Sequence, residues 1–237
     1  RHAGDAPPGV KRSGPQASTA APDCAWRTVD GFPDLARLHH TFPSRYPHLL
    51  ESVAHGTPQA RYDVLFAFPG DSLVLESNGT LRHNGAPNAG DFLATFDATW
   101  RAAPVSEQTE LPFPFHGGWF VFLSYELARF LEPTLAIMPP GNDWPVAVAT
   151  RFPAAVIRDH ATRTTLLVSE SSNDNTLNQM EQDLRRAEGG AGDPGMPVSA
   201  AEIEEENPAL YRQRIARILG YIRAGDTYQV NLSRAWQ

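Results

Sequence analysis

The feature that most constrains this chain is a change of period near its C-terminal end. In residues 211–237, Tyr211, Ile215, Ile218, Leu219 and Ile222 recur at helical spacing, leaving Arg212, Gln213, Arg214, Arg217 and Arg223 for the wetter face. From Tyr228 the spacing shortens: Tyr228, Val230 and Leu232 alternate with Gln229, Asn231 and Ser233, as in a half-buried strand. Asn207 ahead of Pro208 suits an N-cap followed by proline at the first helical position, and Gly225 suits the left-handed C′ site. The pattern predicts an amphipathic helix that feeds a strand through Ala224-Gly225-Asp226. With few neighbours to pair with, that strand is expected to keep an unpaired edge or to pair only with a sheet upstream.

The upstream chain reads as strands and short helices. Residues 26–29 suit an edge strand closed by the Asp30-Gly31 turn, and Phe32, Leu35, Leu38 and Phe42 a short helix stopped by Pro43. Residues 48–52 and 61–68 suit two strands joined through a Gly-Thr-Pro loop, the second apolar enough to be covered on both faces. Residues 73–76 and 81–83 predict a hairpin in which Asn78-Gly79 supplies positive φ angles, so that an antiparallel meander results. Asp91 opens a helix carrying Phe92, Leu93, Phe96 and Trp100, its carboxylate offsetting the exposed N–H groups. After a proline-rich loop, residues 117–126 run from strand into a short helix with Leu127 and Phe130. Residues 146–150, 154–159 and 164–168 predict three more strands, and residues 175–187 a surface helix. The fold class expected is α+β, antiparallel sheets packed with outer helices. The division expected is a disordered tail (1–25), a sheet domain (26–190), a linker rich in Gly and Pro (191–206), and the start of a second, truncated domain (207–237).

Composition narrows function by exclusion. A net charge of −7 and a pI near 5.6 argue against a nucleic-acid partner, which needs a basic face. Cys24 is the only cysteine, so neither an intramolecular disulfide nor a cysteine metal cluster can form. No apolar run approaches the roughly 20 residues of a membrane span, and no apolar core of a signal peptide opens the chain, so a cytoplasmic protein with no membrane partner is expected. His39 and His40 are adjacent and point apart on a helix, and Glu202, Glu204, Glu205 and Glu206 read as a solvated face rather than a metal site. Gly117-Gly118 is read as making room for another backbone, since no dinucleotide or P-loop fingerprint follows it. No catalytic or metal-ligating residue is assigned.

The segment Gly225-Asp226-Thr227-Tyr228-Gln229-Val230-Asn231-Leu232 resembles the opening of the chorismate-binding domain of chorismate-utilising enzymes. Its Asn-Leu ending resembles the aminodeoxychorismate synthase component I branch, where anthranilate synthase component I usually has a second apolar residue at the position of Asn231. Three further landmarks follow the family's order: Leu49-Leu50-Glu51-Ser52, then Arg61-Tyr62-Asp63, then Phe115-His116-Gly117-Gly118 with Tyr125-Glu126 beyond, although Ser124 replaces the usual glycine.

The resemblance implies an N-terminal fragment of a component I enzyme. The parent activity implied is conversion of chorismate and ammonia to 4-amino-4-deoxychorismate for p-aminobenzoate and folate synthesis. A glutamine amidotransferase subunit supplies the ammonia and Mg2+ holds the substrate. The catalytic lysine and metal-binding glutamates lie in motifs downstream of the Tyr-Gln-Val-Asn strand. None is present here, so the chain alone is expected to bind no metal and to catalyse nothing. The resemblance also implies a tryptophan pocket with Leu50, Glu51 and Ser52 as one wall, Arg61 and Tyr62 as its rim, and Tyr228 and Asn231 as the facing wall. The alternatives are the same region of anthranilate synthase component I and a stand-alone tryptophan-binding module.

Overall fold

The computed structural model describes residues 24–52, 60–103, 111–132, 134, 143–170, 174–189 and 204–234. The tail expected over residues 1–25 lies almost wholly outside them, as do the Gly-Thr-Pro loop and most of the Gly- and Pro-rich linker. The chain divides into two compact units, Arg1–Gly190 and Ala191–Gln237.

The first unit has two five-stranded antiparallel sheets. Strands β1 (Ala25–Val29), β2 (His48–Leu50), β3 (Tyr62–Ala67), β9 (Ala154–Asp159) and β10 (Thr164–Ser169) form one in the order β1-β10-β9-β3-β2. Strands β4 (Ser72–Leu75), β5 (Leu81–His83), β6 (Ala86–Asn88), β7 (Gly118–Leu123) and β8 (Ala147–Phe152) form the other in the order β6-β5-β4-β8-β7. The expected meander is confined to β4-β5-β6. Elsewhere the ladders join strands far apart in sequence, since β8 pairs with β4 and β9 with β3. Both partners change sheet at the same corner. The β8–β9 crossing is Pro153 alone, and the β3–β4 crossing runs through Phe68, whose φ is +60°, and Gly70, whose N–H donates to Arg151 O at 2.8 Å.

This arrangement explains why β3 is apolar along both faces. Val64 and Phe66 join Phe152, Ile157 and Phe120 between the sheets, while Leu65 and Ala67 face the opposite way. There they meet Leu35 and Leu38 of α1 (Leu35–Thr41) and Leu177, Met180 and Leu184 of α4 (Asp174–Gly189). The expected surface helix is thus half core: α4 buries one face and also Asp183, which accepts from Tyr46 Oη at 2.8 Å and pairs with Arg45. On the outer face of the second sheet, Phe92 and Phe96 of α2 (Phe92–Ala102) cover Leu73, Leu75 and Ala149. Asp91 caps α2 by accepting from Ala94 N at 2.9 Å. The order is helix, sheet, sheet, helix, an α+β fold.

Two hairpins revise the turn reading. Between β4 and β5 only Gly79 has positive φ, and Glu76 N donates to Thr80 O, a three-residue loop closed by a left-handed glycine. The two-residue turn with both φ positive is Asn84-Gly85, joining β5 to β6. That Asn-Gly pair is a strong hairpin signal, and β6 accommodates Pro87 because it is an edge strand. Beyond β7 a 3-10 turn (Tyr125–Leu127) leads into α3 (Ala128–Leu131).

In the second unit, α5 (Pro208–Ala224) forms with the expected caps. Asn207 accepts from Ala209 N at 2.9 Å, Pro208 opens the helix and Gly225 adopts φ +82°. No residue of α5 is buried, however. The expected strand after it does not form: residues 229–234 belong to no ladder. Helix and caps are satisfied by local bonds, whereas a strand exists only through a neighbour. No described helix is long and apolar enough to cross a membrane.

Candidate functional site

Asp63 sits in an apolar strand with its side chain fully buried, a position that a carboxylate can occupy only if it is paired and hydrogen-bonded. Its partners come from register. Asp63 stands opposite Arg158 on β9, and Leu50 opposite Val64 carries the end of β2 alongside. Oδ1 accepts from Ser52 N at 2.8 Å, and Oδ2 from Arg158 Nη2 at 2.6 Å and Nε at 3.0 Å, with His160 Nε2 2.7 Å away. Burial pushes the Asp63 carboxyl up, but the Ser52 N–H, Arg158 and His160 outweigh it and hold it below the usual carboxylate value.

Arg158 ties four segments together. Besides Asp63 it donates to Pro33 O at 3.0 Å and Glu51 Oε1 at 3.2 Å, and it lies 4.8 Å over the Phe32 ring. At the next position of β9 the charges are reversed: Arg61, two residues before Asp63, makes a forked contact with Asp159, with Nη2 2.7 Å from Oδ2 and Nε 3.1 Å from Oδ1. Asp159 also accepts from Ala161 N at 2.9 Å, and the Arg61 guanidinium holds its carboxyl down to about 2.

Of the seven sequence-predicted site residues, five gather at this end of the first sheet. Leu50 is 52% exposed, and Glu51 is exposed with its carboxylate steadied by Arg158. Ser52 gives its hydroxyl proton to Tyr62 O at 2.8 Å, Arg61 stacks 4.7 Å over the Tyr62 ring, and Tyr62 Oη donates to Pro112 O at 3.3 Å. Tyr228, 93% exposed, and Asn231, also exposed, belong to the second unit and lie in its unladdered segment.

Sequence reasoning assigned no role to Arg158, Asp159 or His160. The available signal was an acid inside an apolar strand, Asp63, and a charged pair closing another, Arg158-Asp159, because buried charges call for partners. An apolar side chain at Leu50 adjoins the accessible, fixed Glu51 carboxylate, which can accept from a ligand ammonium group. Asp63, Arg158, Asp159 and Arg61 are occupied with one another. Among the described residues no group of three or more His, Cys, Asp or Glu side chains is placed to hold a metal ion.

At Gly117 the close approach is made by a side chain rather than by another backbone. Its φ is +110°, and a Cβ there would collide with the Glu170 carboxylate and stand 3.0 Å from Glu170 Cβ. Glu170 is held there by Arg151, whose guanidinium also donates to Gly118 O at 2.9 Å and Phe152 O at 2.7 Å. Gly117 therefore makes room for an ion pair at the sheet corner.

A family model described as chorismate binding enzyme matches residues 54–237. Anthranilate synthase component 1 of Streptomyces coelicolor is 31% identical over 231 residues, covering 84% of this chain and 44% of that protein. Aminodeoxychorismate synthase component 1 of Bacillus subtilis is 27% identical over 214 residues, with the same two coverages. The chain thus spans less than half the length of these curated relatives. A crystal structure of anthranilate synthase component I from Streptococcus pneumoniae superposes with a TM-score of 0.51 at 20% identity, over 73% of this chain and 40% of that one, a likeness of fold.

Proposed function

The chain belongs to the chorismate binding enzyme family, and from that premise we propose that it is the N-terminal portion of an aminodeoxychorismate synthase component I. The observation that carries the finer reading is Asn231 in Gly225-Asp226-Thr227-Tyr228-Gln229-Val230-Asn231-Leu232, directly after a helix ended by a left-handed Gly225. The whole protein would aminate chorismate with ammonia from a glutamine amidotransferase partner. The 31% identity to a Streptomyces coelicolor anthranilate synthase component 1 favours a second reading, the same portion of an anthranilate synthase.

The role proposed for this portion is binding rather than chemistry. Leu50, Glu51 and Ser52, with Arg61 and Tyr62 at the rim, form one wall of a tryptophan site, Glu51 receiving the ammonium group. The family implies Mg2+, but the described residues offer no donor set for it, and no chemical step is assigned to that ion.

Product analysis tests the reading. The whole protein of which this chain is proposed to be the N-terminal portion, given chorismate, ammonium and magnesium, is expected to yield 4-amino-4-deoxychorismate; anthranilate would select the second reading, and neither product would overturn both. Calorimetry with tryptophan tests the wall, where Glu51→Ala is expected to weaken any heat of binding at least tenfold. Equal binding by the variant would remove Glu51 from the site.

A further inference from the structure

The ladder that leads toward Glu51 and Ser52 stops short of them. β2 ends at Leu50, opposite Val64, and residues 51 and 52 belong to no strand. Continued in register, Glu51 would lie opposite Asp63 and Ser52 opposite Tyr62. Side chains take the place of that ladder. Ser52 N donates to the Asp63 side chain, at 2.8 Å from Oδ1, and Ser52 Oγ donates to Tyr62 O at 2.8 Å.

The two oxygens of Asp63 hold these neighbouring residues by different routes. Oδ1 takes the backbone of Ser52 directly, while Oδ2 takes Arg158, whose Nη2 reaches on to Glu51 Oε1 at 3.2 Å. Every nitrogen of Arg158 is used, since Nε and Nη2 lie on Asp63 and Nη1 donates to Pro33 O. The Arg158 side chain is 12% exposed and that of Glu51 51%, so a cation fixed inside the sheet end holds a carboxylate that stands outside it. Among the described residues Glu51 Oε2 accepts no hydrogen bond.

On the reading of Glu51 as an ammonium acceptor, we propose that Asp63 is a positioning residue for the wall. Through Ser52 N it sets the path of the chain beyond β2, and through Arg158 it sets the Glu51 carboxylate, leaving Oε2 for a ligand. Neither Asp63 nor Arg158 touches the ligand. The relay requires arginine, because the single ammonium of a lysine cannot serve Asp63, Pro33 O and Glu51 together as a planar fork does.

NMR on the 237-residue chain separates the two routes without a ligand. The Ser52 amide is expected to resist hydrogen exchange, and three-bond couplings to show one dominant Glu51 χ1 rotamer. Arg158→Lys should average the Glu51 couplings and leave Ser52 protected. Asp63→Asn, with one oxygen in place of two, should release one of the two residues or both. If Asp63→Asn unfolds, Arg158→Lys decides alone. A Glu51 rotamer indifferent to Arg158→Lys overturns the proposal, as does a Ser52 amide that exchanges freely in the unsubstituted chain. Tryptophan calorimetry tests the link to binding. Arg158→Lys is expected to weaken it by about threefold to fivefold, and to add nothing further in a Glu51→Ala background. A loss that adds in full to that of Glu51→Ala gives Arg158 a role apart from Glu51 and overturns the relay. The expected NMR changes in a chain that binds no tryptophan would strike the tryptophan reading and uphold the positioning of Glu51 and Ser52.

Discussion

Asp63 and Arg158 show how one residue pair can tie together the end of a sheet. Removing the carboxylate in Asp63→Ala leaves the guanidinium largely buried beside Pro33 O and the Phe32 ring. Urea denaturation is expected to show a loss of about 3–5 kcal/mol, with part of it restored when Arg158→Met is added. Asp159 makes a prediction about pH. Its folded value of about 2 lies below its ordinary 3.8, so its contribution is present above about pH 4 and is lost as pH falls toward 2. The stability difference between the chain and Asp159→Asn should therefore shrink across that window, as followed by denaturant midpoints. A difference that stayed constant from pH 5 to 2.5 would contradict the Arg61 contact as its source.

At the scale of elements, what was legible in the sequence is what local bonding decides. The caps of α2 and α5 followed from Asp91, Asn207, Pro208 and Gly225 because each acts within one helical turn. Burial of β3 on both faces followed from its apolar run. What stayed hidden depends on distant partners. The exchange of strands at Pro153, the pairing of β1 with β10 and the absence of a ladder after Tyr228 are set by neighbours that periodicity does not name. The same holds in the candidate site, where Arg61-Tyr62-Asp63 was readable as a motif but Arg158, some 95 positions away, was not. Gly117 is a further case, since its need for space is imposed by Glu170. Gly117→Ala combines left-handed strain with a collision and is expected to cost about 1–3 kcal/mol. Gly85→Ala, at φ +80° with nothing within 4 Å of the added Cβ, should cost less, about 1 kcal/mol, in the same thermal melt.

At the scale of the molecule, the two compact units differ in what they bury. The first unit holds a paired charge cluster with one accessible carboxylate, and the second a capped helix whose apolar residues find no core. The central proposal is that this chain supplies one wall of a ligand site in a chorismate-using enzyme and does not carry out the reaction by itself. The direct measurement is chorismate consumption by the 237-residue chain with ammonium and magnesium. The account predicts a rate equal to the protein-free blank, with neither 4-amino-4-deoxychorismate nor anthranilate formed. Steady production of either compound, proportional to protein concentration, would contradict it.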